Sequence, residues 1–149
     1  MGAQKDMRKS RMIFPVLYLM CAVCFLGGCK TKEEKSLSTY CDAQTQRFLQ
    51  QGSDVTALQY RCFYEASSEY TVTDMAVISD CLEAISHIKV TGETQIMASD
   101  ASDLFLFTTK DGEQYSFSFN GHHFESGGKL YELSEDAPLW RLAAKIRNS

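Results

Sequence analysis

The strongest constraint on the fold lies between residues 103 and 133, "DLFLFTTKDGEQYSFSFNGHHFESGGKLYEL". Runs of alternating apolar and polar residues are separated there by Lys110-Asp111-Gly112, Asn120-Gly121 and Ser126-Gly127-Gly128. A period of two with glycine-bearing turns reads as antiparallel strands joined by tight hairpins, so the segment predicts a β-meander. In the second run Tyr115, Phe117 and Phe119 point one way and Ser116 and Ser118 the other. Such a sheet buries one face and wets the other.

A buried sheet face needs a second layer, and the rest of the chain supplies helices. "TDMAVISDCLEAISHI" places Ile78, Leu82, Ile85 and Ile88 at helical spacing, with Thr73 as the expected cap and Asp74 in the first turn. "EDAPLWRLAAKI" sets Leu139, Leu142, Ala143 and Ile146 on one side, with Asp136 as cap and Pro138 in the first turn; Arg141, Lys145 and Arg147 lie off that stripe. A short helix is expected in "YCDAQTQRFLQQ", residues 40–51, and strands in "VTALQYRCFYE", 55–65, and "TQIMAS", 94–99. The expected fold is α+β, an antiparallel β-meander sheet with two or three helices packed on one face.

The beginning of the chain follows different rules. Lys5, Arg8, Lys9 and Arg11 precede an uncharged run from Met12 to Gly28, "MIFPVLYLMCAVCFLGG", the layout of an export signal. Seventeen residues with Pro15 and a glycine pair are short for a permanent bilayer span. Leu26-Gly27-Gly28-Cys29 closes the run with a branched apolar residue, two small residues and a cysteine, and resembles the lipobox of bacterial lipoprotein precursors. The resemblance implies removal of residues 1–28 and a diacylglyceryl group on Cys29. Two or more acyl chains at roughly 0.8 kcal/mol per buried CH₂ hold a protein firmly at a bilayer. The expected organisation is a signal peptide over 1–28, a lipidated Cys29 with a polar tether over 29–39, "CKTKEEKSLST", and one domain over 40–149. The expected location is the extracytoplasmic face of the cell membrane. From about residue 54 to 147 the pattern of turns and apolar positions also resembles small lipoproteins of Gram-positive anaerobes. That resemblance supports the fold and transfers no activity.

Charge narrows the partners. Cutting before Cys29 lowers Lys+Arg from 15 to 11 and Asp+Glu from 19 to 18, taking the formal charge from −4 to −7. An acidic domain of this kind lacks the basic footprint that nucleic acid requires.

Cys21 and Cys24 form a C-x2-C pair, but inside the apolar run they read as small apolar residues. Of Cys41, Cys62 and Cys81, the pair Cys62 and Cys81 is the candidate disulfide; the competing reading is that both are buried small hydrophobes. His122 and His123 are the weak metal candidates, with Glu125 or His87 as further ligands, yet neighbours on a strand face opposite ways. No G-x-S-x-G elbow, Walker loop or protease cysteine context appears, no cofactor motif is recognised, and an enzyme is not the favoured reading. Leu104, Phe105, Leu106 and Phe107 are apolar on both faces of one strand, so either the segment 37–49 or a partner is expected to cover the side away from the core. The favoured function is a module that binds an envelope protein or peptide. The alternatives are an inhibitor or immunity-like module acting on an envelope enzyme, and a small hydrolase or metal-binding accessory protein.

Overall fold

The structure is a computed structural model and describes residues 33–51, 54–64, 67–96 and 100–149. The expected signal peptide and lipobox, with Cys21, Cys24 and Cys29, fall outside these residues. Strand β1 (Lys35–Ser36) leads through a 3-10 turn (Leu37–Tyr40) into α1 (Ala43–Gln51). Next come β2 (Val55–Phe63), β3 (Ser67–Val72), α2 (Met75–His87) and β4 (Lys89–Thr94). The chain then runs through β5 (Ser102–Thr109), β6 (Gln114–Phe119), β7 (His123–Ser126) and β8 (Lys129–Ser134) to α3 (Ala137–Arg147). The strands form one eight-stranded sheet in the order β1-β4-β8-β7-β6-β5-β2-β3, every neighbouring pair antiparallel.

The α+β architecture and the meander are therefore present, and the meander is the middle of the sheet. The β2–β3 hairpin flanks it on one side and β4 with β1 on the other. Gly127 and Gly128, with φ of 58° and 73°, form the two-residue link in which Ser126 pairs with Lys129. Two consecutive positive φ values are what a primed hairpin turn demands, and only glycine adopts both without steric cost.

One core cluster joins the sheet to the helices. Phe105, Phe107, Phe117 and Phe119 are fully buried and pack with Phe48 of α1, Ile78, Cys81 and Ile85 of α2, and Leu139, Ala143 and Ile146 of α3. Phe48 stacks on Tyr115 with ring centres 4.0 Å apart, and the Phe105–Phe119 and Phe107–Phe117 pairs meet edge to face. Burial of each large side chain contributes roughly 1.5–3 kcal/mol.

Several local expectations are corrected. Asp74, not Thr73, caps α2: its backbone is extended (φ −69°, ψ 111°) and Oδ1 accepts the Ala76 N–H at 2.9 Å. Asp42 caps α1, accepting the N–H groups of Gln44 and Thr45 at 2.9 and 3.0 Å. Those Thr45 bonds, backbone then hydroxyl, hold its carboxyl below the usual range. Strand β3, "SSEYTV", is too polar to stand out in the sequence, and β4 ends at Thr94, where the expected strand 94–99 begins; residues 97–99 lie outside the description. The folded region begins earlier than residue 40. Lys35 and Ser36 pair with Val90 and Lys89, and Leu37 is fully buried, its N–H bonded to the Ile88 carbonyl at 3.0 Å. Part of the segment expected as a tether, 29–39, thus belongs to the folded region from Lys35 onward.

Candidate functional site

Alternation along β5 sorts its side chains between two environments. Asp103, Phe105, Phe107 and Thr109 turn into the core, whereas Leu104 and Leu106 are half-buried on the other face and belong to no part of the core cluster. Segment 37–49 does not cover them. Its Phe48 packs on Phe107, Tyr115 and Phe117, the side already occupied by α2 and α3.

The register defines the surface around these leucines. Leu106 lies between Gln59 and Ser116, Leu104 between Arg61 and Ser118, and Phe63, 36% exposed, sits opposite Ser102. Arg61 Nε reaches Glu69 Oε2 of β3 at 2.8 Å. A shallow hollow of about 240 Å³ opens between Arg61, Phe63, Ser67 and Glu69. The surface is thus a flat, mixed patch with apolar residues set among hydroxyl, amide and paired charges. Such a surface suits contact with another polypeptide better than enclosure of a small molecule.

Two polar clusters lie elsewhere. Asp103 is fully buried at the head of β5; the Tyr60 hydroxyl donates to Oδ1 and the Tyr64 hydroxyl to Oδ2, each at 2.5 Å. Arg147, expected on the solvated side of α3, donates to the Tyr60 oxygen at 2.6 Å and lies 3.9 Å from Asp103 Oδ1. Burial, then the bond to Asp103, drives the Tyr60 phenol up; the same bond first, then burial, pushes Tyr64 up to about 12. The carboxylate is satisfied by donors held in place, an arrangement that ties β2, β5 and the end of α3 together.

The second cluster uses Asp136. His122 Nδ1 and Trp140 Nε1 both lie 2.6 Å from its Oδ2. Asp136 stands at the N-cap position of α3 but makes no side-chain cap bond, because its backbone is already helical (φ −83°, ψ −9°) and its carboxylate is turned to the two rings. Glu135, at φ 61°, makes the preceding bend.

His122 therefore meets Asp136 and not Glu125 or His87. His123 Nδ1 lies 3.2 Å from the Asn120 carbonyl, and His87 Nδ1 lies 2.9 Å from that of Glu83. Among the described residues no group of three or more His, Cys, Asp or Glu is placed to hold a metal ion. Cys41, Cys62 and Cys81 are free thiols, and Cys62 and Cys81, the candidate pair, share the core as buried side chains. Burial first, then Asp42, pushes the Cys41 thiol up to about 11; burial, then Asp80, pushes Cys81 up to about 12. Thiols held protonated in this way are poor nucleophiles.

A polar hollow of about 330 Å³ lies where α1 meets the β5–β6 turn, lined by Arg47, Asp54, Asp111, Glu113 and Tyr115 among others. Tyr115 donates to Glu113 at 2.7 Å, and Asp54 is paired with Lys110. Among the described residues no helix is long and apolar enough to cross a membrane. No family model matches the chain, and neither a curated protein nor a solved structure matches it.

Proposed function

We propose that this chain is a lipoprotein, anchored through Cys29 at the extracytoplasmic face of a bacterial membrane, whose domain binds an envelope protein or peptide. The anchoring reading rests on the basic start, the apolar run and Leu26-Gly27-Gly28-Cys29. The binding reading rests on Leu104 and Leu106, two leucines on the face of the sheet away from the helices, beside Phe63. A partner laid across that face removes their remaining apolar surface from water.

The hydrolase alternative draws on His122 beside Asp136, a pair that orients an imidazole as general bases are oriented. Here the same carboxylate oxygen also holds Trp140, and His122 is 75% exposed, which favours a latch between the β6–β7 turn and α3.

Two measurements test the proposal. Fatty-acid labelling of cells marks the wild type and leaves Cys29→Ala unlabelled; equal labelling overturns the anchor. A photoreactive residue at exposed Ser116, directly opposite Leu106 on β6, yields a discrete cross-linked partner that the same residue at exposed Arg141 on α3 does not. Identical adducts from both positions, or none from Ser116, overturn the binding face.

A further inference from the structure

The two edges of the sheet are unequal. At one end β1 contributes two residues, too few to template another strand. At the other, β3 offers six, Ser67–Val72, and among the described residues no strand pairs along its outer side.

Edge strands are normally blunted by a bulge, a proline or an unpaired charge. None of these occurs in β3. Its register with β2 runs without a break from Leu58 opposite Val72 to Phe63 opposite Ser67, and its one charge, Glu69, is held by Arg61. Tyr70 and Val72 are only partly buried while packing on the core, so the apolar layer runs out to this edge unfinished.

We propose that β3 pairs antiparallel with β3 of a second copy of the chain, with Tyr70 opposite Tyr70 of the partner subunit. Self-complementarity selects both occupant and register. In a continuous sheet, directly opposed residues share a face, so Ser67, Glu69 and Thr71 oppose one another, as do Ser68, Tyr70 and Val72. Centring the two-fold axis on Glu69 sets two carboxylates face to face, which is disfavoured. Centring it on Tyr70 sets each Glu69 against a threonine and brings two aromatic rings together where the core layer is incomplete. Each Ser68 then meets a Val72. This isologous contact closes both long edges at once and leaves only the two-residue β1 strands exposed. It concerns the edge, not the leucine-bearing face, and stands independently of the proposed function.

The test uses the full chain in mild detergent. Light scattering gives the protein mass of a dimer. Under mild oxidation, the double variant Glu69→Cys/Thr71→Cys forms a disulfide-linked dimer at least about tenfold faster than either single variant, because only then do thiols lie directly opposite within bonding distance. The unsubstituted chain sets the baseline. A monomer mass overturns the proposal. So does a dimer whose double variant links no faster than the single ones, or one in which Glu69→Cys alone links as fast as the pair.

Discussion

Arg147, in the last turn of α3, donates to the hydroxyl of Tyr60, 87 positions earlier, at 2.6 Å. Tyr60 in turn donates to the buried Asp103, which also accepts from Tyr64. The last turn of α3 is thereby tied to β2 and β5 by a relay of donors and acceptors. Buried polar groups are tolerable only when hydrogen-bonded.

Removal of the acceptor should be costly. Asp103→Leu leaves two phenols without their acceptor and Arg147 without its nearby carboxylate, and is expected to lower stability by about 2–3 kcal/mol. Tyr60→Phe, which breaks bonds to both Asp103 and Arg147, should cost about 1–3 kcal/mol. Tyr64→Phe, at a residue 57% exposed, should cost less than Tyr60→Phe. Urea denaturation of the three variants checks the order. A Tyr64 variant weaker than the Tyr60 variant contradicts it.

Alkali acts on the same groups. The Tyr60 and Tyr64 phenols and the Cys41 and Cys81 thiols all ionise less readily in the folded chain, Tyr64 and Cys81 only near pH 12 and Cys41 near 11. Their folded values exceed their unfolded ones. The stabilisation they lend is whole below about pH 9 and is lost as pH climbs toward 12, through favoured ionisation of the unfolded chain. The urea midpoint should stay level from pH 7 to 9 and fall above it; a midpoint unchanged at pH 11 refutes the assignment.

Trp140 is the only tryptophan, and it reports directly on Asp136. Asp136→Ala should shift its emission to longer wavelength and cost about 1–2 kcal/mol through the lost bonds to His122 and Trp140. Asp136→Ser separates two roles, since serine is a good N-cap yet cannot reach both rings. A serine variant as stable as the wild type means that the residue acts as a cap after all.

Much of this architecture was legible because local rules and tertiary packing agree. The meander follows from alternation and glycine turns, and α2 and α3 follow from apolar spacing. Legibility fails where one residue's role is set by a distant one. Asp136 has the type and place of a cap, but a histidine and a tryptophan draw its carboxylate away. Arg147 lies off its helix's apolar stripe, yet a carboxylate from β5 pulls it inward. Asp103 had a readable sign: it shares parity with Phe105 and Phe107, so an inward Phe strand implies an inward carboxylate that needs donors. Strand β3 left no such sign, because its edge position lets polar residues occupy a pleat.

The two faces of β5 can be told apart by substitution. Phe105→Ala or Phe107→Ala removes a fully buried ring and is expected to cost about 3–5 kcal/mol. Leu104→Ser and Leu106→Ser trim residues that none of the described helices covers, one strand position away, and should each cost less than about 1 kcal/mol. The paired leucine variant then keeps its fold, judged by the urea midpoint, while the cross-link from position 116 disappears. Loss of the cross-link in a folded variant ties the binding face to these two side chains. A leucine variant as unstable as the phenylalanine ones would mean that this face belongs to the core.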